Sequence, residues 1–461
     1  MEEQQGLSTG RNLKIGLFHL GSGMADIIIN GVWNRVMITD LGFNATPIGL
    51  LVSLRYFLAP LGIWAGRMSD EHSIGGFRRL FWVWLGRAMM AISIAALGLT
   101  TASIARGQTV DTFVWIVITV AMLLFSLGTA FSGGTFLALI YDRANENQRG
   151  RAVGIVWTFL LIGFTIGGIL FGVLLPSPEA GAETAGLSFT PETLQSLFLI
   201  AAALLGGIWF FSLLGEERRN STAVSKQNER EAPTSLRADL KLAWGNSQTR
   251  FFFWFLALSM LFAFSQDLIL EPFAGDVFRM DARHTTRFAA YWGSMSILGT
   301  IVFLILNRRV KWLTNTVMSY IGVVVLIGTF LVFALSSFAE IRGLVTPGLI
   351  LLGLGLGFWN VGTLGLMMDM SPFGRAGTFL GFWTVVVTLA RGLGVSGGGV
   401  ARDVMLRLTG ESHALAYGIV FAAGAVGLAV SLWALRHVNI RSFKAEQAPA
   451  DAEAVFVGGM D

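Results

Sequence analysis

The chain has 461 residues, of which 54% are hydrophobic and 13% charged, and its formal net charge is +4. This balance excludes an ordinary soluble domain, and the lack of a basic run excludes a nucleic-acid-binding surface. Because the sequence contains no cysteine, disulfides, thiolate metal sites and cysteine nucleophiles are excluded as well. The composition is typical of a membrane protein with many spans.

Twelve apolar runs of about 20 residues or more predict transmembrane helices. They cover residues 14–38, 47–69, 79–101, 112–141, 150–175, 194–215, 250–274, 286–306, 312–336, 343–369, 375–401 and 413–435. Lysine and arginine concentrate in the loops on the side of the two chain ends, which places both termini in the cytoplasm. We therefore expect an all-α membrane protein with a six-helix bundle at residues 1–215, a cytoplasmic linker at 216–249, a second six-helix bundle at 250–440 and a cytoplasmic tail at 441–461.

Polar side chains form matching stripes in the first and seventh predicted helices. Asp26 is followed four residues later by Asn30, and Asp267 is followed four residues later by Glu271. Residues four apart share one face of a helix, and an acid at the centre of a bilayer costs roughly 2.5–3.5 kcal/mol. We expect all four side chains to face a central cavity between the bundles.

The fourth and tenth predicted helices end alike. Each ends at an aspartate, Asp142 or Asp369, that is followed after 8 and 12 residues by a pair of glycines. A motif that recurs at the same spacing in both halves indicates two pseudo-symmetric halves related by an axis along the membrane normal. We expect both aspartates to lie at the cytoplasmic gate of the cavity.

Arg55 and Arg391 are the cations that we assign to the membrane interior. A buried charge without a partner is costly, so we expect each arginine to pair across the cavity with Asp267 or Glu271. Two interpretations stay open at this point. The pairs are either fixed braces between the halves or part of a site that binds a ligand or a proton.

The loop after the second predicted helix carries a recognisable signature. It reads Gly66-Arg-Met-Ser-Asp70 and then Gly-Gly-Phe-Arg78-Arg79, which resembles the loop motif of the major facilitator superfamily. The resemblance implies a twelve-helix fold in which Gly66, Asp70, Arg78 and Arg79 form the cytoplasmic gate. The alternative is a positively charged cytoplasmic loop with a helix-ending aspartate.

Several stretches taken together resemble the PucC family, which includes LhaA. They are Asn34-Arg-Val-Met-Ile38, Leu54-Arg55-x-x-x-Ala59-Pro60, Ser69-Asp70, Gln266-Asp267 and Leu270-Glu271-Pro272. The amino terminus is shorter than expected of that family. The resemblance implies an assembly factor for bacterial light-harvesting complexes that binds bacteriochlorophyll or delivers it to antenna polypeptides. It also implies contact with antenna polypeptides and pigment-synthesis enzymes, and a place in the bacterial cytoplasmic or photosynthetic membrane.

His19 is the histidine that lies well inside a predicted helix. A neutral imidazole can serve as an axial ligand of the bacteriochlorophyll magnesium, so His19 is a candidate for that metal. The alternative is a histidine that hydrogen-bonds a neighbouring helix.

Two other classes of function compete with an assembly factor. A secondary transporter of a small solute, with proton coupling through Asp26, Asp267 or Glu271, would use the same cavity. A membrane prenyltransferase is the enzyme alternative, because Tyr141-Asp142-Arg143 is followed by Glu146. Such an enzyme needs two carboxylate-rich motifs to hold Mg²⁺ and a diphosphate, and Asp369 is the single acid at the matching position. We therefore expect no enzymatic activity.

Overall fold

A computed structural model describes residues 7–176, 189–217, 244–370, 376–440 and 443, without the side chains of residues 146, 147, 308 and 376–380. Within these ranges the chain is helical, apart from turns, loops and an isolated β-bridge between Ile74 and Phe77. The described part contains no β-strand. This agrees with the all-α membrane protein expected from the sequence.

Seven α-helices lie in the described residues of the first half. They are α1 (Thr9–Asp26), α2 (Ala45–Phe57), α3 (Leu61–Glu71), α4 (Arg79–Ala105), α5 (Thr112–Arg143), α6 (Glu146–Leu174) and α7 (Pro191–Phe211). Wider π-helical turns at Ile27–Trp33 and Val36–Asp40 extend α1 into one span. Helices α2 and α3 also form one span, with a turn at the point where Pro60 lacks the N–H of a regular helix.

The second half contains eight α-helices within the ranges that the structure describes. They are α8 (Ser247–Ala263), α9 (Leu270–Phe278), α10 (Ala282–Thr286), α11 (Phe288–Arg309), α12 (Asn315–Phe338), α13 (Val345–Asp369), α14 (Ala376–Leu408) and α15 (His413–Arg436). The end of the bundle where α1 begins and α15 ends is called the terminal face below. The other end is called the opposite face.

Eleven segments of the described chain are long and apolar enough to cross a membrane. They match eleven of the twelve predicted spans. The seventh predicted span is divided into α8 and α9, with non-helical turns from Phe264 to Ile269. Asp267 lies in this break, so the expectation that Asp267 and Glu271 share one face of a continuous helix is wrong.

Pro272 supplies the physical reason for the break. In a continuous helix residue 272 would donate its N–H to the carbonyl of Leu268, but proline has no N–H. The Leu268 carbonyl instead accepts a hydrogen bond of 2.9 Å from the Asn34 side chain of the first half. A helix interruption inside a membrane is tolerated where another segment satisfies the freed backbone group.

The two halves repeat the same packing. Helix α4 packs on α5 and α7, and the equivalent helix α12 packs on α13 and α15. The first residue of α4, Arg79, contacts Asp142 at 3.0 Å, and the first residue of α12, Asn315, donates to Asp369 at 3.0 Å. The repeat predicted from Asp142 and Asp369 is therefore visible as equivalent contacts at the terminal face.

Contacts between the halves involve α2 with α14, and α6 with α10 and α11. Near the opposite face the backbones come very close. A Cβ added at Gly399 would lie 2.7 Å from the Ala45 carbonyl oxygen, and one at Gly168 would lie 2.9 Å from the Ala290 nitrogen. Glycine at these positions permits close helix packing, as is common in membranes.

The predicted linker at 216–249 is described only at its two ends, and the predicted tail at 441–461 only at residue 443. The other residues of both segments lie outside the described part of the chain. The three boundaries between the four predicted segments therefore stay predictions. Glu216 and Glu217, at the start of the linker, contact the first half: Glu216 pairs with Arg11, and Glu217 accepts three backbone N–H groups at the start of α4.

Candidate functional site

An ion pair between α1 and α2 lies inside the first half. Arg55 Nη1 is paired with Asp26 Oδ1, and Arg55 Nη2 donates to the Tyr56 hydroxyl at 2.7 Å. The Arg55 side chain is buried, whereas Asp26 keeps 27% of its side-chain surface exposed. A second polar group of the predicted stripe, Asn30, is half-buried in the π-helical part of the same span.

A second ion pair lies inside the second half. Arg391 Nη2 of α14 contacts Asp267 Oδ2 at 2.8 Å, and the Gln266 side chain donates to the other oxygen of Asp267 at 2.7 Å. The helix break places Asp267 opposite α14. Arg391 therefore pairs with Asp267, one of its two predicted partners, but within its own half. The prediction that Arg55 pairs with Asp267 or Glu271 is wrong, because Arg55 pairs with Asp26 of its own half.

Tyr56 connects the two pairs. Its ring centroid lies 4.7 Å from the guanidinium carbon of Arg55 and 5.2 Å from that of Arg391. Arg391 also lies 4.2 Å from the ring centroid of Phe264. Cations at such distances are attracted to the face of an aromatic ring. The two pairs thus meet on one aromatic residue at the boundary between the halves.

Among Asp26, Asp267 and Glu271, only Glu271 forms no salt bridge within the described part of the chain. It is 6% exposed, and its Oε2 atom has no hydrogen-bond partner among the described residues. The expectation that Glu271 pairs with Arg55 or Arg391 is wrong, because both guanidinium groups are engaged by aspartates. Glu271 instead lies in the first turn of α9.

His19 lies among aromatic rings near the terminal face. Its ring is stacked on Trp157 with centroids 5.6 Å apart, and it meets the edge of Phe136 at 5.0 Å. Flat apolar walls suit a macrocyclic pigment. Metal-bound imidazoles usually donate their second ring N–H to an oxygen, but His19 Nδ1 is buried without a hydrogen-bond partner in the described chain. The aromatic surroundings fit a flat pigment. The oxygen that would accept a hydrogen bond from the second ring nitrogen of a metal-bound histidine is absent among the described residues.

Sequence reasoning missed a further buried arginine, Arg87 of α4. It is 5% exposed, and its guanidinium carbon lies 4.3 Å from the ring centroid of Phe18 and 4.9 Å from that of Trp209. Its Nη1 donates to the sulfur of Met90 at 3.3 Å, and Nε has no partner among the described residues. An arginine inside the third predicted span was the signal that could have revealed it.

The predicted gate residues of the first half form one cluster at the terminal face. Asp70 contacts Arg79 at 2.5 Å and Arg78 at 3.7 Å, and Arg79 also contacts Asp142 at 3.0 Å. The Gly66 carbonyl accepts the Ser69 hydroxyl at 2.7 Å. The cluster fixes the loop between α3 and α4 to the end of α5. Asp369 belongs to the equivalent position of the second half and lies beside Asn315.

A buried polar cluster near the opposite face was also missed. Arg402 contacts Asp276 at 2.8 Å and Asp403 at 2.9 Å, and the Tyr417 hydroxyl donates to Asp276 at 2.7 Å. Asp403 in turn accepts the backbone N–H groups of residues 45 and 46, at 3.0 and 2.7 Å, and so caps α2 of the other half. Arg402 and Asp403 lie in a predicted loop, so their pattern gave no sign of burial.

The described residues contain no group of three or more His, Cys, Asp or Glu side chains able to hold a metal ion. Together the candidate site residues offer two compensated ion pairs, one buried acid and an aromatic enclosure around His19. Such an arrangement can hold polar or aromatic groups. It provides no evident nucleophile or metal centre.

Comparison with known proteins gives a consistent result. The family model described as PUCC protein matches residues 32–443. Protein PucC from Rhodobacter capsulatus is 29% identical over 442 residues, covering 92% of this chain and 90% of the relative. A protein named Bacteriochlorophyll synthase 44.5 kDa chain, from the same species, is 28% identical and covers 90% of this chain and 91% of its own length.

Among solved structures, a bacterial homologue of the human lysosomal transporter Spinster, in an inward-facing and unoccupied conformation, superposes with a TM-score of 0.71. The identity is 14%, and the match covers 95% of this chain and 98% of that one. At this identity the likeness concerns the fold alone. The chain has the major facilitator fold that its loop signature predicts.

Proposed function

The chain belongs to the PUCC protein family, and on that premise we propose that it is a membrane assembly factor for bacterial light-harvesting complexes. The observation that carries the proposal is the match of residues 32–443 to the family, together with curated relatives named PucC that align over most of their length. In this proposal the chain binds bacteriochlorophyll or delivers it to antenna polypeptides. Its partners are those polypeptides and pigment-synthesis enzymes, in the cytoplasmic or photosynthetic membrane with both termini cytoplasmic.

The proposed role is not catalytic. One relative carries a synthase name, but the described residues offer no metal cluster for diphosphate chemistry. Family and fold both favour carrying or assembly. The residues proposed to face the carried group are His19, Trp157 and Phe136, because their rings form flat apolar walls.

The proposal is tested by purifying the protein from a phototrophic host in mild detergent and recording its near-infrared spectrum. We expect bacteriochlorophyll to copurify in a fixed ratio to protein. Replacement of the enclosure residue by His19→Ala should lower that ratio severalfold. The matched control is His72→Ala, because His72 is an exposed histidine, and this variant should leave the ratio unchanged. A colourless wild-type protein would contradict pigment binding.

A second candidate function is secondary transport of a small solute. It is favoured by the two ion pairs that meet on Tyr56 at the boundary between the halves, since charged groups within a membrane commonly mark substrate or ion pathways. Vesicles containing the purified protein distinguish the two. Solute uptake by a pigment-free protein would support transport and contradict pigment delivery.

A further inference from the structure

Of the three acids considered for proton coupling, Glu271 is the one that forms no salt bridge with any residue that the structure describes. Asp26 is paired with Arg55 and Asp267 with Arg391. An ionised carboxylate buried without a counter-charge is very costly. A protonated carboxyl group carries no charge and avoids that cost.

The surroundings of Glu271 are charged but engaged with other groups. Arg35, in the first span, contacts Asp40 at 2.8 Å and donates to the Met280 carbonyl at 2.8 Å. Other charged or titratable groups lie on the elements packed against α9. Several of them form ion pairs or hydrogen bonds, namely Asp267 with Arg391, Asp276 with Arg402 and Tyr417, Asp403, Asp281 with His284, and His413, whose ring nitrogen lies 3.5 Å from Asp276. The arginines at the end of α9, on or next to α10 and at the end of α15 are Arg279, Arg283, Arg287 and Arg436.

Glu271 lies between two contacts that close the opposite face. Three residues before it, the Leu268 carbonyl accepts the Asn34 side chain, and nine residues after it, the Met280 carbonyl accepts Arg35. Both contacts join the second half to the first. Separation of the halves at this face would break them and give the segment that carries Glu271 access to water.

We propose that Glu271 is a proton-binding site whose occupancy is linked to closure of the opposite face. When this face is closed, a proton is bonded to a carboxylate oxygen of Glu271. When the face opens, water reaches the group, the O–H bond breaks and the proton passes to the solvent. By linkage, a proton that binds one conformation more tightly must favour that conformation.

The site is assigned to a proton rather than to a metal cation on the basis of its ligands. A proton needs one oxygen atom, and the Oε2 atom of Glu271 provides it. Hard metal cations need several oxygen ligands, and no cluster of three carboxylate or histidine groups occurs in the described chain. The proposal does not depend on which molecule the cavity carries.

The test uses the natural absence of cysteine. Spin labels on Gln108→Cys and Ala339→Cys, two exposed loop positions of the opposite face in different halves, report the distance between the halves by double electron–electron resonance. In wild type, the open-to-closed ratio should rise with pH, by up to about tenfold per pH unit for one linked proton. Glu271→Gln cannot ionise, and its distances should stay closed at every pH.

Two controls separate Glu271 from other titrating groups. Glu192→Gln removes an exposed acid and His413→Gln removes a nearby histidine, and both should keep the wild-type response. The proposal is overturned if the wild-type distances do not change between acidic and alkaline pH, which is measurable without any variant. It is also overturned if Glu271→Gln responds as wild type does, or if sodium at fixed alkaline pH closes the face.

Discussion

At the scale of single residues, three arginines inside the apolar spans differ in what compensates their charge. Arg55 and Arg391 each have an aspartate, whereas Arg87 lies between the rings of Phe18 and Trp209. Removing one member of a buried ion pair leaves the other member uncompensated, and that stranded charge accounts for most of the penalty. Removing a cation that lacks a carboxylate partner leaves no buried carboxylate without its counter-charge.

This difference predicts unequal costs for the same substitution. Arg55→Met should lower the free energy of unfolding by about 3 kcal/mol, near the lower end for broken buried pairs because Asp26 is partly exposed. Arg87→Met should change the free energy of unfolding by less than about 1 kcal/mol. The substitution leaves no acid without its partner, and the methionine side chain keeps most of the packing of the arginine stem. Thermal or denaturant unfolding in one detergent measures both.

A second variant checks the reason for the effect. Combining Arg55→Met with Asp26→Asn removes both charges, so most of the lost stability should return. Equal losses for Arg55→Met and Arg87→Met, or no recovery in the double variant, would refute the assignment of Asp26 as the partner of Arg55.

At the scale of elements, the broken seventh span is the feature on which the site depends. Its sequence is one continuous apolar run. The hydrophobicity of a segment predicts whether it is buried in the membrane, but it does not predict which group donates to each backbone carbonyl. Pro272 is visible in the sequence, but many prolines in membrane helices only bend them. The replacement donor, Asn34, is 234 residues away from Leu268. A hydrogen bond between residues so far apart in the sequence cannot be predicted from the pattern of residues around either of them.

The break predicts coupling between Asn34 and Pro272. Asn34→Ala leaves the buried Leu268 carbonyl without its donor and should cost about 1–3 kcal/mol. In a Pro272→Ala background the new N–H of residue 272 can donate to that carbonyl, so Asn34→Ala should cost less. A double-mutant cycle on unfolding free energies measures the difference. Strictly additive effects would show that the carbonyl does not need Asn34.

The same reasoning explains which site residues were predictable. A charged residue inside an apolar run is costly unless it is paired, so such residues are visible in the sequence. Three of them, Asp26, Asp267 and Arg55, do form ion pairs in the structure. Which acid pairs with which arginine depends on the break at Asp267, so the partner of Glu271 was predicted wrongly. The polar cluster of Arg402 and Asp403 was missed because charges near a helix end normally face water.

At the scale of the whole molecule, eleven of the twelve predicted spans match spanning helices of the described chain. These spans and the two similar halves could be predicted from hydrophobic runs and from motifs that recur in both halves. The arrangement of the halves could not, because it depends on contacts between distant segments. Asp403 is one such contact, since it caps α2 from the other half. It joins the halves by hydrogen bonds to a helix N-terminus, a position that favours a carboxylate.

Loss of this cap should open the opposite face. Asp403→Ala removes a capping interaction worth about 0.5–2 kcal/mol, so the open fraction reported by the labels at positions 108 and 339 should rise about two- to thirtyfold. Asp111→Ala is the matched control, because Asp111 caps α5 within its own half by accepting the Val114 N–H at 3.0 Å. It should lower stability without moving the labels. If Asp403→Ala and Asp111→Ala gave equal label distances, Asp403 would not contribute to closing the opposite face.

The central claim is that this chain is needed to assemble light-harvesting complexes, and the antenna absorbance of a phototrophic strain lacking it tests that claim most directly. We expect the near-infrared antenna band to fall severalfold relative to the reaction-centre band, while the cells continue to make bacteriochlorophyll, and we expect the wild-type chain supplied on a plasmid to restore the band. An antenna band of unchanged height in the deletion strain would contradict the account.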